Sequence, residues 1–273
     1  MIENLEELKK QSPWLINFNS IKNAIENSSK EIGIENEIEK LKEKSFNFTL
    51  MPEPYLGNPY AKIYLLNLNP AVDDLLDLKD PPEIKPIWNR YKEHVLCNYV
   101  FYDEAHCNFS EKLKEYRKFP FYHLDPYYKY FQGFWWWYKK LNPLIEKVIE
   151  NLHISTDKAL EKLANSIFNV ELISYHSNKF INLPKEILEN FESSKYNREL
   201  VEKALDEGKI IIVMQGYLKW IKFVPRLSSS NNVYKLKSRN SVISDNNIIT
   251  LSEESSEKST EIFKKLIGNI KDH

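Results

Sequence analysis

The chain is poor in glycine and cysteine and has no long apolar run. Six glycines in 273 residues leave no GxGxxG and no GxxxxGK[ST], which excludes the glycine-rich phosphate loops. Two cysteines, Cys97 and Cys107, are too few for a disulfide framework. No apolar stretch approaches the ~20 residues that cross a bilayer. The first seven residues are acidic and amphipathic, unlike a secretory leader. These absences lead us to expect a soluble cytoplasmic protein without a membrane partner. An excess of one charge is also missing. Lys and Arg number 38 against 39 Asp and Glu, a net charge of −1, which argues against indiscriminate coating of a polyanion.

Aromatic residues are abundant at 13%, with 6 Trp and 16 Tyr. Charge is unevenly placed. Residues 1–45 carry nine Glu against seven Lys. From Lys209 to Ser244 there is no acid, and seven cations occur: Lys209, Lys219, Lys222, Arg226, Lys235, Lys237 and Arg239. Tyr217, Trp220, Phe223 and Tyr234 lie among them. Cations that meet phosphates and rings that stack on bases are the footprint of a nucleic-acid groove. A solvated helix face backed by core aromatics reads equally from the same residues.

Apolar spacing predicts helices in residues 1–45, which we take as an N-terminal extension of a domain spanning 46–273. Residues 51–59, with three prolines and Gly57, read as an extended loop. Strands are expected at 61–67, 167–174, 209–215 and 233–236. Helices are expected between them and over 254–270, with Ser155 or Thr156 and Gly208 as caps and Asn142-Pro143 as a break or fresh start. Apolar strands alternating with helices imply a parallel sheet covered on both faces. The expected fold is a three-layer α/β/α sandwich around a central, four-stranded, mainly parallel sheet. In such folds ligands bind beyond the carboxyl ends of the strands. Those ends read Asn67-Leu68-Asn69-Pro70, Ser174-Tyr175-His176-Ser177, Gln215-Gly216-Tyr217 and Lys237-Ser238-Arg239-Asn240, and all are polar.

At these residues the chain resembles the uracil-DNA glycosylase superfamily. Pro54-Tyr55-Leu56-Gly57-Asn58-Pro59, then Lys62-Ile63-Tyr64-Leu65-Leu66-Asn67-Leu68-Asn69-Pro70-Ala71, is similar to the family's first motif. Mismatch-specific members read Gly-Ile-Asn-Pro-Gly there; Asn69-Pro70 matches the Asn-Pro, and Asn67 and Ala71 stand in place of the two glycines. The resemblance implies that Asn69 positions the hydrolytic water. Lys237-Ser238-Arg239-Asn240-Ser241 occupies the place of the family's DNA-wedging loop, without its His and Pro. Leu124-Asp125-Pro126-Tyr127 resembles the Asp-Pro-Tyr of the classical uracil enzymes. It follows a helical segment rather than the first strand, and an Asp-Pro turn or cap is the other reading of Asp125. Iron–sulfur members need four cysteines, so that cluster is excluded.

Cleaving an N-glycosidic bond requires a flipped base in a pocket, a positioned water and stabilisation of the departing anion. On this reading Asn69, His176 and Asp125 are the catalytic candidates. His176 would donate to the leaving base, and a structural role at a strand end is its alternative. Asn67, Pro70, Ala71, Glu171, Tyr175 and Gln215 would line the base site. Glu171 is unusual, because a carboxyl inside an apolar strand is costly without a partner. Ser177, Lys219, Lys222, Arg226, Lys237, Ser238, Arg239 and Asn240 would hold phosphates. Phe134-Trp135-Trp136-Trp137-Tyr138 reads as a base-pocket wall or as core. His94, Cys97, His106 and Cys107, with Asp103 and Glu104, compose a possible zinc set, but their spacing fits no finger. The expected function is a monomeric, cofactor-free DNA glycosylase. A catalytically silent nucleic-acid- or partner-binding relative is the first alternative, and an enzyme of free nucleosides the second.

Overall fold

The structure is a computed structural model. It describes residues 5–27, 29, 31–72, 85–107, 110–238, 240–251 and 258–271. Arg239, named above for DNA binding, lies outside them.

The chain begins with helices α1 (Leu5–Lys10), α2 (Pro13–Ile16), α3 (Phe18–Glu26) and α4 (Glu35–Leu41). Strands β1 (Tyr55–Gly57) and β2 (Ile63–Asn67) follow, then helices α5 (Lys85–Tyr99), α6 (Ser110–Tyr116), α7 (Gln132–Leu152) and α8 (Thr156–Ser166). Next come β3 (Ile167–Glu171), α9 (Lys185–Leu188), α10 (Glu192–Asp206), β4 (Ile210–Val213) and α11 (Tyr217–Phe223). Strands β5 (Val233–Leu236) and β6 (Ile248–Thr250) and helix α12 (Ser259–Lys271) complete the order. Among the described residues no helix is long and apolar enough to cross a membrane.

The protein is α/β with a mixed six-stranded sheet in the order β1-β3-β2-β4-β5-β6. The inner strands β3, β2, β4 and β5 run parallel. Strand β1 pairs antiparallel with β3, and β6 antiparallel with β5. The expectation of four strands is therefore corrected to six. Both additions are three-residue edge strands, too short for a period-2 pattern to show, and prolines flank β1 without blocking its short ladder.

Register separates the faces. Tyr55, Phe168, Val170, Tyr64 and Leu66 project to one side, while Asn67, Asn169, Glu171 and Tyr234 project to the other. Helix α10 meets the first face, where Tyr196 approaches Tyr55 with ring centroids 6.2 Å apart. Helix α12 meets the second, where Lys265 Nζ donates to the Tyr234 hydroxyl at 3.2 Å.

The N-terminal helices share this core. Trp14 is fully buried and stacks on Tyr99 at 5.3 Å. Buried Glu37 of α4 accepts from Ser193 N at 2.8 Å and Ser193 Oγ at 2.7 Å, capping the start of α10. Helix α7 runs through Pro143 without a break. A proline there removes one N–H donor; the buried Trp137, Leu141, Leu144, Ile145 and Val148 on either side hold the helix together.

Candidate active site

Strands β2 and β3 end side by side, and their following loops are bonded together. Leu172 N donates to Asn67 O at 3.1 Å, Ile173 N to Leu68 O at 2.9 Å, and Ser177 N to Pro70 O at 3.2 Å. The Asn69 amide donates to Ser177 Oγ at 2.8 Å and to Pro70 O at 2.9 Å. Both amide hydrogens are thereby spent, which leaves the side-chain carbonyl as the group Asn69 can offer. Half-buried Gln215, at the end of β4, reaches the same level through its backbone N–H to Leu66 O at 3.3 Å.

His176 is buried and faces two carbonyls, Ala71 O from Nδ1 at 2.6 Å and Met51 O from Nε2 at 2.9 Å. The ring donates to both only as the imidazolium. Either way it clamps the loop after β2 to the segment before β1, and neither nitrogen is directed at a substrate.

A polar ladder crosses the buried face just below these loops. Asn67 Nδ2 donates to Asn169 Oδ1 at 2.8 Å, and Asn169 Nδ2 donates to Glu171 Oε1 at 2.8 Å. All three residues are buried. Among the described residues, Asn67 Oδ1 and Glu171 Oε2 make no hydrogen bond within the protein. Because Asn67 and Glu171 are register partners on adjacent strands, the two free oxygens belong to neighbouring side chains on one face. Burial raises the Glu171 carboxyl to about 8, against the Asn169 hydrogen bond and reinforced by the negative charge of Glu53. Burial thus favours the neutral form of Glu171. Among the described residues it has no cationic partner.

Glu53 is the opposite case. It precedes β1, and its backbone N–H bonds Ser174 O at 2.8 Å beside the end of β3. Its Oε1 accepts from the Tyr91 hydroxyl at 2.8 Å and lies 3.1 Å from His123 Nε2. Burial pushes its carboxyl up, but the charges of His123 and His176, with hydrogen bonds from His123 and Tyr91, outweigh that and hold it at about 2. Two buried carboxyls that sense each other are therefore shifted in opposite directions, the arrangement that separates an acid role from an anionic one. His123 is seated by Gly133: a Cβ on that glycine would lie 2.5 Å from the ring.

The structure sends other expected residues elsewhere. Asp125 Oδ1 caps the short 3-10 turn Pro126–Tyr128 through Tyr127 N at 2.9 Å, and Oδ2 lies 3.5 Å from Arg90. The Asp is a cap and ion-pair partner, and among the described residues it makes no hydrogen bond or ion pair to Glu53 or Glu171. Tyr175 is a core ring whose hydroxyl accepts from Ile34 N at 3.1 Å. Pro70 is buried and Ala71 exposed within the clamped loop. Lys219 bonds Asn182 Oδ1, and its ammonium lies 4.8 Å from the Phe180 ring centroid. Lys222 is exposed in the last turn of α11.

Arg226 corrects the idea of one cationic rim. Helix α11 carries the chain from the carboxyl end of β4 toward the amino end of β5, so Arg226 lies at the far end of the sheet. There it bonds Glu202 at 2.9 Å and Asp206 at 2.7 Å. Lys209 is held at the same end by Pro59 O and Glu207. Lys237, Ser238 and Asn240 are exposed in the turn after β5, where the Ser238 and Ser241 hydroxyls are 3.0 Å apart. A cavity of about 250 Å³, lined by Asn58, Tyr60, Tyr102, Arg117 and Asn165 among others, also lies at the amino ends, away from the carboxyl cluster.

The residues considered for zinc serve other contacts. His94 Nδ1 lies 3.2 Å from the Tyr128 hydroxyl, His106 Nδ1 lies 2.6 Å from Asp103, and the two buried thiols neighbour each other. Among the described residues, no group of three or more His, Cys, Asp or Glu is placed to hold a metal.

Sequence reading passed over Glu53, Tyr91, His123 and Asn169. Two signals were present: an acid between two prolines in the otherwise apolar Met51–Tyr55 run, and Asn169 and Glu171 two apart in a buried strand, hence on one face. Comparison with family models, with curated proteins and with solved structures finds no match to this chain.

Proposed function

We propose that the chain is a DNA glycosylase of three-layer α/β/α build, related to the uracil-DNA glycosylase superfamily and acting as a cofactor-free monomer. The observation that carries the reading is the buried Asn67–Asn169–Glu171 ladder at the carboxyl ends of β2 and β3, which among the described residues leaves Asn67 Oδ1 and Glu171 Oε2 free on one face, with burial favouring the neutral Glu171 and His123 favouring the anionic Glu53 nearby. A flipped base presents a donor beside an acceptor along its edge. Asn67 Oδ1 accepts from such an edge, and the protonated Glu171 donates to it as negative charge develops on the leaving base. That donor role passes to Glu171 from His176, whose nitrogens are engaged by backbone. Anionic Glu53 stabilises the oxocarbenium-like sugar electrostatically, and the Asn69 carbonyl holds the attacking water. Because the cluster is buried, the base reaches it only when the loops above it part.

The test is incubation of the protein with DNA containing uracil, mismatched thymine or modified cytosine, followed by alkali. The expected result is strand scission at one of these bases, lost in Asn69→Ala while circular dichroism is unchanged. Folded protein that yields no abasic site on any of them overturns the reading.

The closure of the cluster favours a second reading, a silent relative that binds nucleic acid without cutting. Salt-dependent DNA binding with no abasic product distinguishes it.

A further inference from the structure

Four of the large apolar side chains most exposed to solvent occur within ten residues. Tyr127 is 43% exposed, Tyr130 56%, Trp135 57% and Trp136 37%. Tyr127 stands on the Pro126–Tyr128 turn, Tyr130 on the link after it, and Trp135 and Trp136 on the first turns of α7. The same segment buries Phe131, Phe134 and Trp137, so the exposed rings ride on a rigid aromatic base. Sequence spacing alone does not sort these neighbours. The helix does, because successive side chains point 100° apart.

The chemistry around the rings is cationic. Residues 126–145 hold three lysines and no acid. Lys129 lies 5.7 Å from the Tyr130 ring centroid, and Lys140 lies 5.5 Å from that of Trp136. Arg90 packs under Tyr127 at 4.4 Å, but its charge is spent on Glu115 at 2.7 Å and Asp125 at 3.5 Å, so the cations of the patch are the lysines. Lys140 Nζ also donates to Ser241 O at 2.9 Å, and Ile243 N donates to Lys140 O at 3.0 Å. These bonds join α7 to the turn that presents Lys237. Wet aromatic faces with lysines beside Tyr130 and Trp136 complement a chain of stackable rings joined by phosphates.

We propose that Tyr127, Tyr130, Trp135 and Trp136 form a stacking platform for an unpaired nucleic-acid strand. A duplex hides its base faces and offers only phosphates to such a surface, whereas an unpaired strand presents both. Gly133, within the same segment, packs on His123. The platform itself uses no buried group and stands whether or not the excision reading does.

Fluorescence anisotropy of the full chain, with labelled oligothymidine, oligouridine and a duplex at several salt concentrations, tests this. The expected result is single-strand binding tighter than duplex binding and quenching of tryptophan emission. Trp135→Ala/Trp136→Ala should weaken it roughly ten- to a hundredfold, with unchanged circular dichroism. Lys129→Ala/Lys139→Ala, at two exposed lysines of this segment, should lower the salt slope by about 1.4. Ile16→Ala, which removes an exposed apolar side chain on α2, should bind as the wild type does. The tighter of the two oligonucleotides identifies the strand as DNA or RNA. Absence of binding to both at low salt overturns the proposal. So does binding that the double tryptophan variant leaves intact. A self-associating or protein-bound face, seen as a mass change on removing the rings without any oligonucleotide affinity, overturns it as well.

Discussion

Glu171 concentrates the chemistry of single residues in this protein. Its carboxyl titrates near 4.5 unfolded and about 8 folded. The folded state therefore keeps a proton that the unfolded state has lost, and this group costs stability as pH rises through that window. Between pH 5 and 8 the loss is on the order of 4 kcal/mol. Urea midpoints should fall over that range and fall much less in Glu171→Gln. Glu53 has the opposite sign. Held at about 2, it stabilises the fold above about 4.5, and that contribution disappears only as pH drops toward 2. Excision, which on our reading needs Glu171 protonated, should decline above about pH 8. A rate that stays flat to pH 10 would remove Glu171 as the acid. Nothing in the sequence assigns these states, since a carboxyl's protonation depends on neighbours more than a hundred residues away.

At the scale of elements, the loop ends are held by backbone geometry. Gly216 opens α11 at φ +64°, and a Cβ there would sit 2.2 Å from a Leu68 methyl. Gly208 has nearly the same φ, +66°, with open space around it. Left-handed backbone costs an alanine about 1–2 kcal/mol in both places, and the collision adds about 1–3 kcal/mol only at Gly216. Thermal melts should rank Gly216→Ala well below Gly208→Ala; equal losses would mean that Leu68 moves aside freely. The apolar runs that became β2, β3, β4 and β5 were legible because each is short, β-branched or aromatic and bounded by turn residues. The edge strands β1 and β6 were not, because three residues hold no pattern. Pro143 read as a break, because a local rule knows nothing of the packing that carries the helix past it.

For the whole molecule, the N-terminal helices bear directly on the site. Trp14 stacks on Tyr99, Ile34 N bonds Tyr175, and Glu37 caps α10. Removing residues 1–45 uncovers that apolar surface and leaves α10 uncapped. The shortened chain should be insoluble or bind a hydrophobic dye. A monomeric, cooperatively melting product would show that residues 46–273 fold alone. The basic stretch 209–244 shows the same dependence on tertiary structure. It is continuous in sequence, yet α11 divides it between the two ends of the sheet, and Arg226 ends among carboxylates.

Composition and periodicity alone determined the α/β class, the inner strands and the level at which polar residues gather. These follow from short-range backbone preferences and from burial, which each residue carries with it. Only the tertiary structure decided which polar residues meet. Glu53, Tyr91, His123 and the pair Asn169 and Glu171 come from four separate stretches of chain, and their charge states exist only once packing has removed the water between them.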